Sequence, residues 1–177
     1  MKFFKIILVF YFSISSFTFG DVNFKTITCK SDNVLNSIQE CSISSKGSLN
    51  IAGKFLKTLE NPVVDFKISK NESSKYKLIV QNKLEWCAFV SVKGNYEMIS
   101  TSMLKTSFAT LFYDCPYFGK YEVIDFTMPK KMDVILSGIL AEGNYKLELY
   151  IYENNSTIVD LEMTFEITSL LSDIFGE

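Results

Sequence analysis

GNYKLELYIYENNSTIVDLEMTFEIT, residues 143 to 168, alternates apolar and polar side chains twice, on either side of a short polar break. Tyr145, Leu147, Leu149 and Ile151 share one face of the first run. Val159, Leu161, Met163, Phe165 and Ile167 share one face of the second, with Asp160, Glu162, Thr164 and Glu166 opposite. A period of two is that of a strand, and one apolar face per strand is that of a sheet packed on one side. Asn154-Asn155-Ser156 supplies the turn. The stretch reads as a half-buried antiparallel hairpin.

The same period recurs upstream. DVNFKTITCK (21–30) reads as a strand with Val22, Phe24, Thr26 and Thr28 on one face and a shift of pattern at Ile27. SIQECSISSKGSLNIAGKFLKTL (37–59) is broken by Lys46-Gly47 and reads as two short strands or one bent strand. After the break at Asn61-Pro62, VVDFKIS sets Val64, Phe66 and Ile68 against Asp65, Lys67 and Ser69. KNESSK is a turn. KYKLIVQNKLEWCAFVSV (75–92) resumes the alternation, with Tyr76, Leu78, Val80, Leu84 and Trp86 facing together. Residues 96–113 change period: Ile99, Met103, Leu104, Phe108, Leu111 and Phe112 recur at three- and four-residue spacings, as on one face of a helix. Asn95 caps its start, and Cys115-Pro116 ends it because proline lacks the amide hydrogen. There are no internal repeats and no low-complexity linker. The expected architecture is all-β with one amphipathic helix, in a single domain over residues 21–177.

The first twenty residues, MKFFKIILVFYFSISSFTFG, have a different character. A basic start at Lys2 and Lys5, an apolar run and small residues before a cut after Gly20 are the three parts of a secretory signal peptide. The run is too short and too interrupted by serines to span a bilayer, which takes about 20 apolar residues. Loss of the leader would shift the net charge from −2 to −4, with every positive charge a lysine. The chain has no arginine and no histidine. A mildly acidic, arginine-free surface argues against nucleic acid as a partner. The lack of histidine removes the usual general base, the triads built on it and the commonest zinc ligand. Carboxylate-only mechanisms need two acids aimed at one bond, and the scattered Asp and Glu give no such pointer. The chain is therefore expected to be no enzyme, with no cofactor and no metal.

Four cysteines, Cys29, Cys41, Cys87 and Cys115, follow the leader. An even count in an exported chain favours two disulfides, and three pairings are possible. Local logic favours Cys29–Cys41, clipping a hairpin-like pair of strands around SDNVLNSIQE. It likewise favours Cys87–Cys115, tying the strand ending in Trp86-Cys87 to the end of the helix. A thiol nucleophile would want a base, and a four-cysteine zinc site would want close pairs; the sequence has neither. Glycosylation sequons begin at Asn71, Asn154 and Asn155, each in an expected turn, and the last two overlap.

FKTITCK, Cys41 a dozen residues later, NPVVDFKI, YKLIVQNKLEWC, FYDCPYFGKY and AEGNYKLELYIY follow one another in that order over residues 24–167. In these landmarks the chain resembles an insect family of secreted proteins known as domain of unknown function 1091. That family is similar to the ML lipid-recognition (ganglioside-activator-like) superfamily. The Cys-Pro-Tyr triplet and the Glu-Gly-Asn-Tyr start of the last hairpin are the most specific pieces. Departures are Glu85-Trp86 before Cys87 where an aspartate is usual, Tyr76-Lys77-Leu78 at a strand start that usually carries proline, and Lys46-Gly47 in a region that usually has an arginine.

The resemblance implies an immunoglobulin-like, two-sheet antiparallel β-sandwich with a helix (about 96–113) at one edge and an apolar cavity between the sheets. It also implies a secreted, non-enzymatic protein that buries a small hydrophobic ligand, a lipid or lipid-like chemosensory compound such as a cuticular hydrocarbon. Expected liners are Phe66, Tyr76, Leu78, Met103, Phe108, Phe112, Leu147, Leu149, Leu161, Met163 and Phe165. Each is also what an ordinary close-packed core would use. Further expected partners are a membrane receptor or a lipid surface. The alternative is an extracellular module that binds a receptor or other protein without any ligand, and a large exposed apolar patch would favour it.

Overall fold

The computed structural model describes residues 20–91, 115–127 and 141–169. Eight strands make up most of them: β1 Gly20–Ser31, β2 Asn36–Ile43, β3 Leu49–Leu59, β4 Val63–Glu72, β5 Lys75–Glu85, β6 Tyr117–Phe126, β7 Gly143–Glu153 and β8 Ser156–Ser169. One six-residue helix, α1 Trp86–Ser91, follows β5. The strands form two antiparallel sheets, one of five in the order β1-β8-β7-β4-β5 and one of three in the order β2-β3-β6. The expected β-sandwich is thus observed. The expected leader up to Phe19, the expected helix over 96–113 and with it Met103, Phe108 and Phe112 lie outside the described residues.

The chain divides into two compact units. One comprises Met1–Asn23, Met128–Gly143 and Glu166–Glu177. Its described part is the beginning of β1 and of β7 and the end of β8, where the Thr168 hydroxyl donates to the Asp21 carbonyl at 3.5 Å. The other comprises Phe24–Thr127 and Asn144–Phe165, and holds the rest of both sheets.

In this second unit the two sheets are joined face to face. Phe24 on β1 and Phe126 on β6, both buried, approach with ring centroids 6.1 Å apart. The apolar face read for β8 is the inner one: Val159, Leu161, Met163 and Phe165 are buried, and Tyr145 on β7 stacks on Phe165 at 5.5 Å. Burial of each such side chain contributes about 1.5–3 kcal/mol. On β1, Phe24 is buried, yet Thr26 and Thr28 face solvent. Thr26 instead shares a 2.7 Å hydrogen bond with Thr164 on the outer face of β8.

The segment 37–59 resolves into two antiparallel strands, β2 and β3, joined through a turn at Ser44–Ser48 in which Gly47 has φ 77°. The three-stranded sheet then closes over a glycine. Gly53 is the cross-strand partner of Tyr121, whose ring lies where a Cβ on Gly53 would be. The buried Tyr121 hydroxyl donates to Asn36 Oδ1 at 3.1 Å.

Two expectations are corrected. Cys29–Cys41 forms, with an S–S length of 2.02 Å, but it does not clip a hairpin. It crosses from β1 in the five-stranded sheet to β2 in the other. The turn between them makes the switch: the Asp32 carbonyl accepts from the amides of Leu35 and Asn36 at 3.0 and 2.8 Å, and the Asp32 side chain accepts from the Val34 amide at 2.8 Å. Second, the strand expected to run through Trp86-Cys87 stops at Glu85. Its partner β4 begins at Val63, opposite Glu85, so beyond that point there is no strand to pair with. The Trp86 amide donates to the Pro62 carbonyl at 2.9 Å, and the chain turns into α1. Cys87 on α1 is bonded to Cys115 just before β6, and Trp86 Nε1 donates to the Tyr117 hydroxyl at 2.6 Å beside it.

Candidate functional site, the inner face of β5, β4 and β7

Direct partners across an antiparallel pair share a face. The registers of β4 with its two neighbours therefore define rows of three across the five-stranded sheet. They run Leu84–Val64–Ile151, then Asn82–Phe66–Leu149, then Val80–Ile68–Leu147, then Lys77–Lys70–Tyr145. Tyr145 is buried against Phe165, so this is the inner face. At about 3.3–3.4 Å per residue, the four rows extend over roughly 20 Å.

The first three rows are apolar apart from Asn82, yet none of their side chains is fully buried. β4 and β7 are interior strands, flanked on both sides. Apolar residues at such positions are normally closed off by close packing. Here they remain part-exposed, while their neighbours Leu161, Met163 and Phe165 on β8 are buried.

The opposite face of β4 reverses the usual expectation. Asp65 is 9% exposed and Ser69 6%, less than Phe66 on the apolar side. Longer charged and aromatic side chains of β4, β5 and β7 share this face. Lys67 Nζ sits 5.5 Å from the Tyr150 ring centroid and Lys83 Nζ 5.6 Å from that of Tyr152, while the two tyrosines stack at 6.1 Å. Lys146 lies 3.3 Å from Glu148 and 3.7 Å from Glu162. The Tyr152 hydroxyl donates to Asp65 Oδ2 at 3.4 Å; Asp65 Oδ1 has no partner among the described residues. Burial, then the charge of Glu148, pushes the Tyr150 phenol up to about 12, and burial, then Asp65, raises that of Tyr152. This is a packed polar lattice. Among the described residues no three His, Cys, Asp or Glu side chains cluster as a metal site would need.

Of the liners expected from sequence, Phe66, Leu147 and Leu149 fall on the part-exposed inner face, and Leu161, Met163 and Phe165 are buried beside it. Tyr76 and Leu78 do not join them. The β4–β5 register shifts between Ile68 and Ser69, so that β5 spends an extra residue, Ile79, as a bulge. A bulge turns the alternation over. Leu78 then pairs with Ser69 on the outer face, and Tyr76 lies under Lys146 Nζ, 5.4 Å from its centroid. Tyr76 is 44% exposed and Leu78 52%. The sequence carried one sign of this, the three consecutive apolar residues Leu78-Ile79-Val80, which no strict alternation accommodates. The same shift brings Lys77 opposite Lys70 on the inner face, a pairing no sequence pattern announces.

No helix among the described residues is long and apolar enough to cross a membrane. No protein-family profile and no curated protein matches the chain. Among solved structures it is similar to chicken MD-1 complexed with lipid IVa, at 13% identity and a TM-score of 0.30, over 85% of this chain and 99% of that one.

Proposed function

We propose that this chain is a secreted, non-enzymatic carrier that buries a small hydrophobic ligand between its sheets, and that it is kin to the insect proteins it resembles in sequence. The observation that carries this reading is the part-exposed apolar face of Val64, Phe66, Ile68, Leu147, Leu149 and Ile151 on interior strands. Each methylene moved from water onto such a face contributes about 0.8 kcal/mol, so a long acyl or hydrocarbon chain binds through area with few polar contacts. Two disulfides suit an oxidising, extracellular setting. The sequons at Asn71 and at Asn154 or Asn155 are exposed. Asn71 lies in the last two residues of β4 and Asn154 and Asn155 directly follow β7, its antiparallel neighbour, so the sites lie at opposite ends of the five-stranded sheet. Sugars there leave the inner face clear.

The test is to secrete the chain from insect cells, extract it with organic solvent and analyse the extract by mass spectrometry. A stoichiometric apolar small molecule, retained by the parent and lost from Phe66→Asp, supports carriage. A chain that emerges empty and takes up no added lipid overturns it. The second reading, a module that binds another protein without a ligand, is favoured by Phe118 and Ile124 on β6, which are 58% and 57% exposed. Loss of cell-surface binding on Phe118→Ser with lipid uptake unchanged would select it.

A further inference from the structure

The fourth inner row differs in kind from the three before it. Lys70 and Lys77 are direct cross-strand partners at the end of an apolar face. Like charges placed directly opposite one another repel and destabilise a sheet. The carboxylate on hand does little to offset this. Glu72 lies 3.6 Å from Lys77, in a pair whose side chains are both largely exposed, and such surface pairs contribute little. Lys70 is half-buried and has no carboxylate partner among the described residues; its ammonium rests 5.7 Å from the ring centroid of the buried Tyr145. Contact with the ring face holds that ammonium at the edge of the apolar rows without neutralising it.

We infer that Lys70 and Lys77 are the head-group site for an anionic single-chain lipid. Its acyl chain runs along the rows from Ile68 toward Val64, and its negatively charged oxygens sit between the two ammonium groups. This rests on the carrier reading above and adds to it the chemical class of the ligand and its direction in the site. The two lysines supply up to six N–H donors to an acceptor that takes several, as either a carboxylate or a phosphate monoester does, and charge-assisted bonds of this kind are the strong ones. An uncharged alcohol or hydrocarbon of the same length gains the apolar area and leaves the two charges facing each other.

The experiment is displacement of the neutral dye N-phenylnaphthylamine by palmitate, palmityl phosphate and palmityl alcohol. Parent, Lys70→Gln, Lys70→Arg and Lys70→Gln/Lys77→Gln chains are compared, with Lys67→Gln on the outer face of the same strand as the control for net charge. The parent is expected to prefer the two anions over the alcohol by about tenfold or more. That preference should survive Lys70→Arg and Lys67→Gln and vanish in the double variant, while alcohol binding changes by less than about twofold. The ratio of palmitate to palmityl phosphate tells which head group the site fits. Equal binding of anion and alcohol by the parent, or an equal loss in Lys67→Gln, overturns the head-group site and leaves carriage standing. A parent that binds neither the dye nor any of the three amphiphiles overturns carriage, and the head-group site with it.

Discussion

Gly53 is the residue at which the three-stranded sheet has least room. A methyl group there would overlap the end of the Tyr121 ring and come within 2.7 Å of the Ser37 carbonyl oxygen. Tyr121 is held in place by its bond to Asn36, which is fully buried. Gly53→Ala is therefore expected to destabilise the chain by about 1–3 kcal/mol, read from the urea midpoint at unchanged slope. An unchanged midpoint would mean that the ring moves freely. Tyr150 offers a second measurement at this scale. Its folded phenol is pushed up from 10.0 to about 12, so the fold keeps a proton that the unfolded chain releases earlier. The contribution is complete below about pH 10 and is lost as the pH climbs toward about 12. Tyr121 and Tyr152, also raised, act in the same sense. Stability should fall above about pH 10, and Tyr150→Phe should make that fall shallower; a steeper one would reverse the sign argued here.

Among the elements, the β4–β5 hairpin carries the most that the linear pattern did not. Its turn places Ser73 and Ser74 at φ 52° and 67°, a left-handed pair that favours Asn-Gly over two serines. Ser74→Gly is expected to stabilise the chain by up to about 1 kcal/mol in thermal unfolding, while retaining the Asn71 sequon. The β7–β8 turn has the same left-handed form, with Asn154 at φ 49° and Asn155 at 65°. Asparagine tolerates it and a β-branched side chain does not, so Asn155→Val should destabilise by about 1–2 kcal/mol. Both hairpins were legible in the sequence, since their polar turns separate clean alternations. The phase of β5 was not. Tyr76 and Leu78 alternate with Val80 on paper, and the bulge at Ile79 sends them to the other face. The end of β5 was equally hidden, because Trp86-Cys87-Ala88-Phe89-Val90 is as apolar as any strand, and its helical turn follows from where β4 begins.

At the scale of the molecule, the Cys29–Cys41 bond joins the two sheets, so its removal loosens the sandwich itself and not a local loop. Cys29→Ser with Cys41→Ser closes off no loop in the unfolded chain and is expected to lower stability by about 3 kcal/mol, read from the urea midpoint. Full retention of stability would mean that packing such as Phe24 on Phe126 already locks the sheets together. Covalent and short-range facts were open to reading from the chain alone: the period of each strand, the polar turns, the cysteines, the absence of histidine and the inner face of β8. They depend on neighbours within a few residues, and a period of two survives whatever the strand later pairs with. Which sheet β2 enters, where β5 slips by one residue, why Asp65 is more buried than Phe66 and how Lys70 meets Lys77 were decided only in three dimensions. Each depends on a pairing register, which is set by contacts summed over strands far apart in the chain, and a single-residue slip exchanges the two faces without altering the local pattern.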